Sequence, residues 1–138
     1  MLLRRSVLGE LRFDTTLKTA EDVDLWIRLV LAAPVYLLAQ PLATAVLEEG
    51  SLSRSDAAAD AANMLAVLQR YAPVLGRDGV RAGKLQVYRE WAASHLGNRQ
   101  PRAAIVPAWN RLTHQPWSAQ AWWIFLKSTV GACRAMRT

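Results

Sequence analysis

The chain has 138 residues, about half apolar and a fifth charged, with a net charge of +6. That composition is globular and fits one ordinary domain, large enough to bury a core but short for an enzyme that must hold two substrates. The charge is uneven: residues 1–50 carry five basic and seven acidic side chains, residues 51–138 twelve and four. The halves read as different modules, and the second is basic enough to face phosphates or an anionic membrane.

The first stretch, "MLLRRSVLGELRFD", has charges on both sides of a short apolar run and lacks the core of a signal peptide. The expected location is cytoplasmic, with a peripheral place at the inner face of the membrane as the alternative. Next, "KTAEDVDLWIRLV" predicts a helix over about 20–33, with Thr19 as N-cap and Pro34 as the stop. Leu25, Trp26, Leu29, Val30 and Ala33 share one face at the helical period. Residues 29–47 then hold no charge, close to the ~20 apolar residues of a membrane span. Pro34, Gln40 and Pro41 interrupt that run, and a proline inside a helix costs about 3 kcal/mol. Two short buried strands, "VYLLA" and "LATAVL", explain it better. "EEGSLSRSD" reads as a linker.

Helical periodicity follows to the end. Ser55 is expected to cap a helix through about Tyr71, and "PVLGRDG" to break the chain. A second helix over about 80–96 should stop at Gly97-Asn98. A third, from Pro101 to about His114, should kink at Pro107. A fourth starts after Pro116, with Arg134 and Arg137 at its negative end. The stretch 88–123 weakly resembles a tetratricopeptide-like hairpin, but one unit is not an array. The lone Cys133 has no disulfide partner, suits a reducing compartment and is expected to be packed.

The acids of "AEDVD" admit two readings. In the first they serve the helix: Thr19 and Asp22 form a near capping box, Glu21, Asp22 and Asp24 favour the positive helix end, Trp26 is core, and Arg28 pairs with Asp24. In the second they belong to a site. The order "LLRRSVLGELRFD", "EDVDLWIRL", "QPLATAVL", "GSLSRS" resembles the C-terminal part of the catalytic domain of family 2 glycosyltransferases, over roughly residues 3–55. The resemblance implies a GT-A-like end and transfer of a sugar from a nucleotide-sugar to a glycan or lipid-linked acceptor, with inversion. It also implies Asp22 as the catalytic base that deprotonates the acceptor hydroxyl, Glu21 beside it, and Trp26 and Arg28 as buttressing or substrate-contacting residues. It further implies a divalent metal, Mg²⁺ or Mn²⁺. The family's Asp-any-Asp metal pair and nucleotide-binding units should come earlier and have no counterpart before Glu21. Ala45, Val46 and Glu48 stand where the family has tyrosine, arginine and histidine. The chain therefore reads as an acceptor-side end without its donor half, with little activity expected alone.

Elsewhere, His95 and His114 lack metal-ligand spacing, and "GELRF" and "GRDGVRAG" are not phosphate loops. The tail "PWSAQAWWIFLKSTVGACRAMR" puts Trp122, Phe125, Leu126 and Thr129 on one side, with Trp117 and Trp123 elsewhere and Lys127, Arg134 and Arg137 flanking. It reads either as a core helix or as an interfacial helix at an anionic membrane. No nucleic-acid partner is expected, because the basic residues are dispersed over four helices. The expected architecture is mainly α with a small α/β N-terminal segment: a GT-A-like end over residues 1–54, then a bundle of about four helices over residues 55–138. The competing function is a non-enzymatic helical module that binds a protein partner or a membrane surface.

Overall fold

The computed structural model describes residues 3–36, 38–42, 44 and 56–136. Among them are six helices: α1 (Arg5–Leu8), α2 (Glu21–Ala32), α3 (Ala57–Arg70), α4 (Ala72–Gly97), α5 (Ile105–His114) and α6 (Ala119–Arg134). The described residues contain no strand, so the expected α/β N-terminal segment is corrected to a helix followed by irregular chain. In "VYLLA", Val35, Tyr36 and Leu38 are exposed and pair with nothing. No described strand lies beside them, and Pro34 and Pro41 have no N–H to give a ladder. Positions 43 and 45–47 of "LATAVL", and Ser55, lie outside the described residues.

The helix ends follow local chemistry that partly departs from expectation. Asp56 caps α3, accepting from the Ala58 and Ala59 amides at 3.1 and 3.0 Å. Instead of a loop at "PVLGRDG", α4 starts directly after Tyr71 and kinks at Gly76, whose φ of 67° suits a residue without Cβ. Past α4 the left-handed position falls on Arg99 (φ 57°), and the Gln100 amide closes back on His95 O at 2.8 Å. Pro101 lies in the turns before α5. Pro107 occupies the first turn of α5, where its missing N–H forfeits no helical bond, so the expected kink is not needed. Ser118 caps α6 through Ala121 N at 3.2 Å.

Helices α3 to α6 each pack on the next, and α4 also meets α6. This is the expected four-helix bundle. Its core is built from small side chains: Ala61, Ala92, Ala104, Ala108, Ala121 and Ala132, with Val67, Val87 and Leu112. Small residues let the backbones approach closely. A Cβ on Gly131 would stand 2.8 Å from the Pro101 ring. Several bulky aromatics stay outside, Trp117 at 95% exposure and Trp123 at 59%. Cys133 is exposed as well, against the expectation of packing. No described helix is long and apolar enough to cross a membrane.

Candidate functional site

The capping box expected at the start of α2 does not form. The residue before the helix is Ala20, in a left-handed conformation (φ 64°) with no side-chain cap. The Thr19 hydroxyl instead accepts from Asn63 Nδ2 at 3.0 Å, tying the helix entry to α3. The apolar stripe also divides. Leu25 and Leu29 are buried, whereas Trp26 and Val30 are 45% and 56% exposed, so Trp26 is not core.

The three acids have separate fates. Asp24 is 1% exposed, a position a carboxylate tolerates only when compensated. Its Oδ1 accepts from Arg70 Nη1 at 2.7 Å and from the Tyr71 hydroxyl at 2.9 Å. Arg28 Nη2 lies 2.8 Å from Oδ2 in an ion pair off the hydrogen-bond axis. That is the i,i+4 pairing the sequence suggested. Arg28 also donates to Arg12 O at 2.7 Å, and Arg70 reaches Asp14 Oδ2 at 2.8 Å. The network joins the "RFD" segment, α2 and the end of α3. Hydrogen bonds from Thr16, then from Arg70, hold the Asp14 carboxyl down at about 2. Bonds to Asp14 and Asp24 push the Arg70 guanidinium up. Burial, then its bond to Asp24, raises the Tyr71 phenol.

Asp22 stands outside this network. It is half-buried in the first turn of α2, and its Oδ1 accepts from the Val23 amide at 2.8 Å. That bond satisfies one of the orphan amides of the helix start. Among the described residues, neither Asp22 nor Glu21 has an ion-pair partner. A carboxylate so placed can take a proton from a hydroxyl. Asp24, with both oxygens committed to guanidinium groups, cannot do so without breaking the network.

The sequence did not single out Arg70 and Tyr71. They lie 46 and 47 positions after Asp24, and only the fold brings them within side-chain reach of it. A divalent cation would need several uncommitted carboxylates. Asp14 and Asp24 share Arg70, and no three His, Cys, Asp or Glu side chains converge among the described residues. Among the described residues there is no cage for the implied Mg²⁺ or Mn²⁺. No known protein family, curated protein or solved structure matches the chain.

Proposed function

We propose that this chain is the acceptor-side end of an inverting, GT-A-type family 2 glycosyltransferase, moving a sugar from a nucleotide-sugar to a glycan or lipid-linked acceptor. The observation that carries the reading is the division within "EDVD". Asp24 is locked to Arg70, Tyr71 and Arg28 and fixes the helix, while Asp22, in the first turn, accepts at Oδ1 from the Val23 amide and has no ion-pair partner among the described residues. A general base needs such an arrangement: a fixed backbone and a carboxylate that no guanidinium ties up. Asp22 would take the proton of the acceptor hydroxyl as its oxygen attacks the anomeric carbon, with Glu21 beside it. Trp26, exposed on the same helix, offers a flat face to a sugar ring, and Arg28 holds the helix to the preceding segment. Metal ligands and the donor pocket would come from a nucleotide-binding half. The exposed run of Trp26, Val30, Leu31, Val35 and Tyr36 supplies an apolar surface of the kind such a half would cover.

The test is transfer from a panel of nucleotide-sugars by the protein at its natural length, with the anomeric configuration of the product read by NMR. An inverted product is expected. Transfer with retention, or none across the panel, would refute the proposal.

A second reading, a helical module binding a membrane surface, is favoured by α6. Lys127 Nζ sits 4.9 Å above the Trp123 ring, and Trp122, Leu126 and Val130 are about half exposed on the same helix. Apolar rings bracketed by cations suit an anionic interface. Under this reading, phosphatidylglycerol vesicles blue-shift the tryptophan emission, and Trp123→Ala with Leu126→Ala abolishes the shift. An unchanged spectrum would exclude it.

A further inference from the structure

A cleft of about 400 Å³ opens between the start of α4 and the end of α5, lined by Ala72, Gly76, Arg77, Val80, Arg81, Lys84 and His114. Arg77, Arg81 and Lys84 recur at helical spacing, so they stand along one face of α4. None of the three has an ion-pair partner among the described residues. The one acid in this stretch, Asp78, falls between them in sequence and is exposed. Three uncompensated cations on one cleft repel each other unless an anion joins them.

The polar contacts prepare the cleft for an anion. Arg81 Nη2 donates to His114 O at 2.9 Å, which neutralises a free carbonyl at the end of α5 and anchors the guanidinium. His114 Nδ1 lies 2.8 Å from Asn110 O. A carbonyl only accepts, so Nδ1 carries the proton and Nε2 of the neutral ring can only accept, which leaves the arginines and Lys84 as the donors of the cleft. One turn back on α5, Arg111 is 7% exposed and donates only to neutral groups, Leu85 O at 2.6 Å and Gln120 Oε1 at 2.9 Å. Its Nε has no partner. A buried cation without a carboxylate adds to the positive field of this face, and burial with nearby Arg89 pulls its guanidinium down. The Gly76 kink turns the helix beside Arg77 and leaves open space at the mouth, since a Cβ there would meet nothing within 4 Å.

We propose that this cleft binds a phosphate ester or diphosphate, held by Arg77, Arg81 and Lys84, with Ala72 and Val80 receiving an apolar part of the ligand. Arginine forks and a lysine suit phosphate oxygens. The site does not depend on the glycosyltransferase reading, because it lies on α4 and α5 and uses none of the α2 acids.

The experiment titrates the full chain with inorganic pyrophosphate by calorimetry at fixed ionic strength. Saturable one-site binding is expected. Arg77→Gln with Lys84→Gln should weaken it about tenfold or more, with an unchanged circular dichroism spectrum. Arg81 is kept because it also caps α5. Arg134→Gln, which removes one positive charge on α6, should leave binding unchanged. No saturable binding, or equal weakening by Arg134→Gln, overturns the proposal. Phosphatidylglycerol vesicles then identify the source. Pyrophosphate that displaces the chain from vesicles supports a lipid headgroup in the cleft. Saturable pyrophosphate binding with no displacement supports a soluble phosphate there.

Discussion

Replacing Asp24 by alanine should cost far more than its place in a surface helix suggests. Removing one partner from a fully buried ion pair costs about 3–5 kcal/mol. Here the partners are partly wet, with the Arg70 and Arg28 side chains 45% and 28% exposed. Water can recover both cations, which reduces the ionic part to about 1–2 kcal/mol. The Tyr71 hydroxyl donates to Asp24 Oδ1, and losing that acceptor adds about 1 kcal/mol. The total, about 2–3 kcal/mol, corresponds to roughly 6–12 °C in Tm for a chain of this size. Asp24→Asn keeps an acceptor for Tyr71 and should lose about half as much. Urea and thermal melts followed by circular dichroism at neutral pH give both numbers. An Asp24→Ala variant within about 0.5 kcal/mol of the parent, the range of an ordinary surface change, would refute the network as the tie between α2 and α3.

Asp14 gives the structure an acid sensitivity. Its carboxyl is lowered to about 2 from an ordinary 3.8, so its contribution is complete above about pH 4 and disappears as pH falls through about 2. Urea midpoints of Asp14→Asn should therefore vary less than those of the parent over this window, and parallel curves would contradict the Asp14–Arg70 contact. Gly131→Ala should lower the melting temperature, because the new methyl would stand 2.8 Å from the stiff Pro101 ring. Overpacking of about 1–3 kcal/mol exceeds the gain of about 1 kcal/mol in helix propensity. Gly97→Ala, with nothing within 4 Å, is the control and should be neutral or slightly stabilising. Ser118→Ala removes the cap on Ala121 N and should cost about 1 kcal/mol in a urea melt.

The helical half of the chain was legible because its signals are local. Apolar periodicity and terminal breakers place α3, α5 and α6 within a few residues of their observed ends. Departures arose where one residue had two uses. Thr19 has the chemistry of an N-cap but bonds Asn63 on another helix. Pro107 breaks a helix only past the first turn, and a short displacement of the α5 start puts it inside that turn. "VYLLA" has strand composition without a described neighbour to pair with. The acids of α2 show the same limit. Spacing put Arg28 within reach of Asp24, but Arg70 and Tyr71 meet that carboxylate only through the fold. Sequence alone therefore left Asp22 and Asp24 as neighbours in one cluster, and burial separates them.

The central claim is that Asp22 is free for chemistry while Asp24 holds the helix. The most direct measurement is sugar transfer and thermal melting on the same preparation of Asp22→Asn, in the protein at its natural length. Loss of a general base should reduce transfer about 10²-fold or more, with the melting temperature within about 2 °C of the parent. Undiminished transfer, or a melting loss as large as that of Asp24→Ala, would contradict the account and return Asp22 to the service of the helix.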